Sequence, residues 1–255
     1  MNQLKKLSNS AVVFVGFIYG LSCFANGSSA SKNADEVPKP VLIFDAKDIK
    51  TSGGVSAWTD SISKVSLSSK KSLQVRTNAL GSASSVSFQQ AADSLQSKSV
   101  SSSKLFSESG ISYLGLVKID NFKSPSELFG FGDCKGDKVE LHLPFNGVIG
   151  MQFGKSPKAG FGATLTESVR GKFVVFGISR SATEGIIVLN GQVVGLGKNL
   201  ERFKIPKSGD FSIGVGSCGN VFKGELVRIE FYTKPMKDSV LIDKTKSMML
   251  TYGIK

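Results

Sequence analysis

Short apolar runs separated by turn residues dominate the chain between residues 172 and 232. Residues 173–178 and residues 186–189 are apolar and β-rich, and Asn190 and Gly191 follow the second run directly, ahead of residues 192–194. Asn-Gly between two apolar runs is the strongest short-range hairpin signal, because a type I′ turn needs positive φ at both central residues. The pattern therefore predicts an antiparallel hairpin here.

Alternation of apolar and polar positions indicates further strands. Among residues 226–232, Val227, Ile229 and Phe231 fall on one side of an extended chain, and the charged residues between them fall on the other. This is the pattern of a strand with one buried and one wet face. Other strand-like segments are residues 41–46, 86–88, 111–119, 139–143 and 211–215.

Two segments depart from this strand pattern. Residues 94–109 are serine-rich and polar, which is typical of a loop. Residues 236–252 carry apolar positions at weakly helical spacing. Many short strands, 28 glycines placed mostly at turns and a final helical segment predict an all-β protein, an antiparallel β-sandwich with a short C-terminal helix.

Three groups of residues carry a resemblance to a known family. Residues 44–48 and 55–61 read Phe-Asp-Ala-Lys-Asp and Val-Ser-Ala-Trp-Thr-Asp-Ser, residues 171–232 follow the strand and hairpin order above, and residues 250–254 close with Leu-Thr-Tyr-Gly-Ile. This order resembles concanavalin A-like (laminin-G-like) jelly-roll domains, although residues 62–64 replace the usual Gly-Asn pair. The resemblance implies one jelly-roll domain over residues 41–255 and says nothing by itself about activity.

The N-terminal residues are typical of an exported protein. Lys5 and Lys6 precede the apolar run 11–19, and small residues follow it up to Ala25. This charged, apolar and cleavable layout predicts a signal peptide over residues 1–25. The apolar part is too short for a comfortable membrane span. Residues 26–40 are predicted to form a flexible polar leader. The protein would attach to a membrane only if Cys23 were lipidated. The sequence fits lipidation poorly, because Gly20 stands where a lipidation signal has a leucine-like residue.

Two cysteines remain after that predicted cleavage, Cys134 and Cys218. An exported chain meets oxidising conditions, so these two residues are predicted to form a disulfide, with two free thiols as the alternative. The predicted location is therefore the periplasm, the outer surface or the extracellular medium.

The chain is basic, with a net charge of +12, or about +10 once Lys5 and Lys6 are removed. Its 32 lysines and arginines are scattered, with no basic run longer than two residues. This pattern argues against nucleic acid as a partner and favours a solvated basic surface. An acidic polysaccharide at a cell envelope is the more local interpretation.

The residues do not indicate an enzyme. Glycoside hydrolases of this fold class carry paired carboxylates on one strand, whereas residues 139–143 contain only Glu140. His142 is the only histidine, and no Gly-x-Ser-x-Gly motif accompanies it. No cofactor or metal is predicted. Asp133 and Asp137 could hold calcium, but an ordinary turn is the stronger interpretation of these two residues. Zinc held by cysteine and histidine lacks a recognisable ligand spacing.

Four residues are candidates for ligand contact. Trp58 could stack on a sugar, although packing is the stronger interpretation of its place in the opening motif. His142 shares strand parity with Glu140, and Arg170 and Arg180 lie at the two ends of a predicted strand, where they could bind an acidic group. Together with the resemblance, these residues predict an exported, non-catalytic module that binds a glycan. The alternative is a structural subunit that packs against envelope protein partners.

Overall fold

Seventeen strands and one α-helix make up the protein in a computed structural model, which describes residues 37–122 and 124–255. The predicted signal peptide, and residues 26–36 of the predicted leader, lie outside the described residues. The elements are β1 (Leu42–Asp45), β2 (Ile49–Ser52), β3 (Val55–Thr59), β4 (Ser66–Ser68), β5 (Gln74–Leu80), β6 (Ala83–Phe88), β7 (Leu95–Ser101), β8 (Gly110–Ile119), β9 (Glu127–Gly132), β10 (Lys138–Phe145), β11 (Val148–Phe153), β12 (Phe161–Thr164), β13 (Phe173–Ser181), β14 (Gly185–Leu189), β15 (Gln192–Gly197), β16 (Ser208–Ile213), β17 (Gly224–Tyr232) and α1 (Asp238–Tyr252).

The strands form two antiparallel sheets that pack face to face as a jelly-roll sandwich. The first has eight strands in the order β15-β14-β13-β8-β17-β6-β5, with β1 also paired to β17. The second has nine strands in the order β12-β11-β10-β9-β16-β7-β4-β3-β2. The predicted all-β sandwich with a C-terminal helix is confirmed. Among the described residues, no helix has the length and apolar character needed to cross a membrane.

The main core lies between the two sheets and is rich in aromatic side chains. Phe231 contacts Tyr113, Phe129 and Phe211 with ring centroids 5.2 to 5.5 Å apart, so both sheets contribute to one aromatic cluster. Edge-to-face packing of this kind contributes roughly 0.5–1.5 kcal/mol per pair beyond the burial of apolar area.

A second apolar cluster lies on the outer face of the eight-stranded sheet, beneath α1. Leu114, Val175 and Val188 point outward from the sheet, and Leu241 of the helix packs on them. Gly177 lets the helix approach, because a Cβ there would lie 2.9 Å from the Leu241 side chain. The helix therefore covers this outer face.

The predicted hairpin is present as β14 and β15, and Asn190 and Gly191 both have positive φ, at 47° and 74°. Two other predictions are wrong. Residues 94–109 were expected to form a loop but contain β7, which pairs with β16. Val227 was expected to share a face with Ile229, but a bulge in β17 places it in the outer cluster.

Candidate functional site

A short loop crosses the outer face of the nine-stranded sheet, between β16 and β17. We call residues 214–222 the 214–222 loop; it turns back on itself through a hydrogen bond from the Gly216 N–H to the Asn220 carbonyl, at 3.0 Å. Two glycines permit its close approach. A Cβ on Gly130 of β9 would collide with the backbone of Ser217, and a Cβ on Gly216 would collide with the Glu127 carboxylate.

A disulfide holds the 214–222 loop in place. Cys218 in the loop is bonded to Cys134, which lies in the turn between β9 and β10. The predicted pairing is confirmed, and it joins positions 84 residues apart in sequence. We call residues 133–137, between β9 and β10, the cysteine turn. The bond therefore fixes the loop over β9 and β10, the two strands that the cysteine turn connects.

Charged side chains are buried beneath this loop. Along β10 the strand alternation places Lys138, Glu140 and His142 on the outer face. A bulge between residues 141 and 142 then pairs His142 with Glu127, at the start of β9. Asn220, from the loop, donates a hydrogen bond from Nδ2 to Glu127 Oε1 at 2.8 Å. We call Glu127, Lys138, Glu140 and His142 the buried charged cluster.

The distances within the buried charged cluster are short. Lys138 Nζ lies 2.7 Å from Glu140 Oε2, and His142 Nε2 lies 3.5 Å from Glu127 Oε1 and 3.8 Å from Glu140 Oε2. Both glutamates are buried, and the side chain of His142 is 16% exposed. Solvent therefore reaches the cluster at the histidine, whose ring stacks on Phe145 at a centroid distance of 4.7 Å.

The two glutamates have opposite pKa shifts. Burial raises the pKa of Glu127, and the neighbouring charge of Glu140 raises it further. Burial opposes ionisation of Glu140 as well, but the contacts with His142 and Lys138 outweigh it and lower the pKa of Glu140. Glu140 is therefore the carboxylate that keeps its charge more readily, and Glu127 is the one that accepts a proton more readily.

An open depression of about 680 Å³ lies beside the 214–222 loop, on the same outer face. Its polar lining comes from β7, from β16, from the cysteine turn and from the loop itself. The polar side chains around it are Gln96, Lys98, Asp133, Asp137, Ser208, Asp210, Ser212 and Ser217. These groups offer amide, hydroxyl, ammonium and carboxylate partners for a hydrogen-bonding ligand.

Two of the four predicted ligand contacts lie inside the protein, which corrects the prediction for both. Trp58 is fully buried against Phe44 and donates from Nε1 to the Asp45 carbonyl at 2.8 Å, so no face of its ring is open to a sugar. Arg180 is also fully buried; burial lowers the pKa of its guanidinium to about 10. It donates to the Glu201 carbonyl at 2.7 Å, and it does not reach an external acidic group.

The other two predicted contacts, Arg170 and His142, lie in different surroundings. Arg170 is half exposed, and its guanidinium contacts the Glu167 carboxylate at 3.7 Å and the Asp120 carbonyl at 3.2 Å. His142 belongs to the buried charged cluster, with Glu140 beside it as their shared parity indicated. Glu127 was missed, because only the pairing of β9 with β10 brings it opposite the histidine.

The turn at residues 133–137, which was considered for calcium, is held by hydrogen bonds among its own residues. Asp133 Oδ1 accepts a hydrogen bond from the Lys135 N–H at 3.1 Å, and the Asp133 N–H donates to the Asp137 carbonyl at 3.3 Å. Within residues 37–122 and 124–255, the metal-binding residue types converge at Glu127, Glu140 and His142 instead, with ligand atoms within 4.8 Å of one another.

The molecule is thus a jelly-roll sandwich with a polar depression and a buried charged cluster on one outer face. No protein-family model and no curated protein matches the sequence. Domain 4 of AbnA, a GH43 extracellular arabinanase from Geobacillus stearothermophilus, in complex with arabinotriose, has a similar fold. The identity is 15% and the TM-score 0.60, and the match covers 82% of this chain and all of that domain.

A Trypanosoma rangeli sialidase also contains a similar sandwich. It is 17% identical with a TM-score of 0.58, and the match covers 83% of this chain but 33% of the sialidase. This chain therefore corresponds to about a third of that protein. At these identities the similarity establishes the fold alone. The arabinanase and the sialidase both contain this fold but differ in the activities that their names describe.

Proposed function

We propose that this chain is an exported, non-catalytic module of the concanavalin A-like type that binds carbohydrate. The observation that carries the proposal is the open, polar depression beside the disulfide-held loop. Its amide, hydroxyl and carboxylate groups are the partners that sugar hydroxyls need, and they project from β7, from β16, from the turn between β9 and β10 and from the disulfide-held loop. The Trp58 and Arg180 contacts expected from the sequence play no part in it.

The fold supports a carbohydrate ligand by analogy. Domain 4 of the arabinanase has the same architecture over its full length and was solved with arabinotriose. The basic composition, with a net charge of about +10 once Lys5 and Lys6 are removed, further favours an acidic polysaccharide among the carbohydrates of a cell envelope. Lys98 supplies a positive charge at the rim of the depression, where it is paired with Asp210 and lies beside the carboxylates of Asp133 and Asp137.

The placement of the buried glutamates supports a non-catalytic role. Hydrolysis of a glycosidic bond needs two carboxyl groups that flank the bond in a cleft, roughly 5 to 9.5 Å apart. The carboxylate oxygens of Glu127 and Glu140 lie within 4.8 Å of one another, and both side chains are buried beneath the 214–222 loop rather than facing each other across a groove. A sugar chain could not reach both of them without moving the loop.

Export is part of the same proposal. The N-terminal residues have the pattern of a signal peptide, and the disulfide between Cys134 and Cys218 suits an oxidising compartment. We place the protein in the periplasm, at the outer surface or in the medium.

One observation favours the alternative of an assembly subunit. The edge strand β15 exposes Val193, Val194 and Leu196, and an exposed apolar edge strand can pair with another chain. This surface lies on the other sheet from the depression, so the two functions predict effects of different substitutions.

A glycan and polysaccharide array at two salt concentrations tests the proposal, with the full chain purified under non-reducing conditions. We expect binding to a narrow set of sugars that persists at high salt, and its loss on Gln96→Ala. Gln74→Ala, an exposed glutamine on the other sheet, is the matched control and should bind normally. Absence of binding, or salt-sensitive binding to every acidic polymer, would reject the carbohydrate site and favour the assembly role.

A further inference from the structure

We propose that Glu127, Glu140 and His142 form a site for a divalent first-row transition-metal cation of the zinc type. The three residues come from two paired strands, and the bulge in β10 sets the histidine opposite Glu127. The site is separate from the polar depression and does not depend on carbohydrate binding.

The spacing of the side-chain atoms fits one ion. A tetrahedral zinc ion lies about 2.0–2.2 Å from its nitrogen and oxygen ligands, which places neighbouring ligand atoms about 3.3 Å apart. His142 Nε2 is 3.5 Å from Glu127 Oε1 and 3.8 Å from Glu140 Oε2. Small rotations of these side chains would bring all three atoms to bonding distance, and a water would complete the coordination.

The second observation is that the site holds buried polar atoms without hydrogen bonds. Glu140 Oε1 and Glu127 Oε2 are buried without a hydrogen bond, whereas Glu140 Oε2 is paired with the Lys138 ammonium at 2.7 Å. His142 Nε2, which faces both glutamates, also lacks a hydrogen-bond partner. Buried polar atoms are normally satisfied, so acceptor atoms that converge in this way are explained by a cation between them.

The charges around the site leave room for a cation. Two carboxylates face a single ammonium, that of Lys138, so the cluster with a neutral histidine keeps a net negative charge. Asn220 donates to Glu127 Oε1 at 2.8 Å and holds that carboxylate toward the histidine, as outer-shell partners of metal ligands do. The partly exposed edge of His142 gives an ion a route from solvent.

The ligand chemistry selects the class of ion. Imidazole nitrogen with carboxylate oxygen suits zinc and its transition-metal neighbours, whereas calcium takes six to eight oxygen ligands. The competing explanation of the same geometry is a protonated His142 that forms ion pairs with both glutamates. That arrangement would leave no place for a cation, so the two explanations give opposite results in a metal titration.

The experiment uses the oxidised full chain without a histidine tag, treated with chelator and then dialysed. Zinc is added and followed by isothermal titration and elemental analysis, with calcium in a parallel titration. Because His142 is the only histidine, nitrogen-15 NMR of the imidazole has a single source. We expect one zinc per chain and a shift of the Nε2 resonance to the position of a metal-bound, unprotonated nitrogen.

Variants locate the ion. Asn220→Ala should weaken zinc binding roughly tenfold or more, as loss of an outer-shell partner does, and Glu127→Gln should weaken it further. Glu184→Gln makes the same change at an exposed glutamate in the turn between β13 and β14 of the other sheet, and this variant should bind as the unchanged chain does. The proposal is overturned if zinc does not bind stoichiometrically, if calcium binds instead, if Nε2 stays protonated in excess zinc, or if Glu127→Gln binds equally well.

Discussion

The two outer faces of the sandwich are finished in different ways. On the eight-stranded sheet, α1 lies over outward-facing aliphatic side chains, and Leu241 and Met248 are buried against them. Gly253, with φ of 66°, ends the helix, and the Ile254 N–H donates to the Met249 carbonyl at 2.9 Å. This face is sealed by apolar contact.

The nine-stranded sheet carries a loop instead of a helix on its outer face. The 214–222 loop covers Glu127, Lys138 and Glu140, and it is held there by the disulfide and by the hydrogen bond from Asn220 to Glu127. An open polar depression remains beside it. Apolar contacts therefore cover one face, whereas the other face has charged side chains buried under a loop and polar side chains open to solvent beside it.

The largest effect is expected from removing the covalent fastening of the polar face. Replacing Cys134 and Cys218 together by serine frees a connection that spans 84 positions. In the chain-entropy model, this lowers the free energy of unfolding by roughly 4–5 kcal/mol. Denaturant unfolding of the oxidised protein and of the double variant measures the difference.

Reduction provides the control for that variant. A reducing agent should destabilise the unchanged protein by a similar amount and should leave the double serine variant unaffected. Equal stability of the oxidised and reduced proteins would show that the loop is held by its polar contacts alone.

The apolar face is tested by Leu241→Ala. Leu241 is fully buried on the side of the helix that faces the sheet, so its truncation should lower the free energy of unfolding by about 2–5 kcal/mol through lost burial and the cavity left behind. Leu250→Ala is the matched control on the same helix, because that side chain is 82% exposed. Equal effects of the two substitutions would mean that the helix does not seal the sheet. Carbohydrate binding should survive both.

Much of this fold could be predicted from local patterns. The β14–β15 hairpin was visible in its Asn-Gly turn, because that turn geometry is decided by the two residues themselves. Strand β7 was missed, because its serine-rich sequence pairs in the middle of a sheet through backbone hydrogen bonds that no side-chain pattern announces. The bulge that moves Val227 to the outer cluster was hidden for the same reason.

The candidate site was predictable only within one strand. Glu140 and His142 could be placed on the same face, because alternation along a strand fixes their direction. Their pairing with Glu127 depends on which strand lies next to β10 and on where its bulge falls. Trp58 and Arg180 look like ligand contacts by residue type, but burial against neighbouring rings, which the sequence does not reveal, decides against them.

A smaller change in stability, dependent on pH, is expected at Glu225 of the eight-stranded sheet, which forms ion pairs with Arg76 and Lys118. Burial opposes ionisation of Glu225, but hydrogen bonds from Ser85 and Lys118 and the charge of Arg76 outweigh it and lower the pKa. A carboxyl with a lowered pKa in the folded protein stabilises the fold above its unfolded pKa. This contribution is lost as the pH falls through the folded pKa.

Glu225→Gln tests that contribution. At neutral pH the variant should be less stable by roughly 1.5–3 kcal/mol, the range for hydrogen bonds to charged groups. The difference should shrink as the pH falls below the ordinary carboxyl pKa of 4.5. Unfolding free energies of both proteins between about pH 3 and 7 provide the measurement, and a difference independent of pH would contradict the assigned charge.

The smallest effect on stability, and the sharpest on function, is expected at the rim of the depression. Lys98 pairs with Asp210, but both side chains are at least half exposed, so Lys98→Ala should change the free energy of unfolding by less than about 1 kcal/mol. The same substitution removes a hydrogen-bond donor and a positive charge from the proposed sugar surface, so binding to an acidic polysaccharide should weaken. Lys172→Ala removes an equal charge from an exposed turn elsewhere and should leave binding intact. If both lysine variants weaken binding equally, overall charge rather than the polar face attracts the ligand, because a localised site responds only to its own residues.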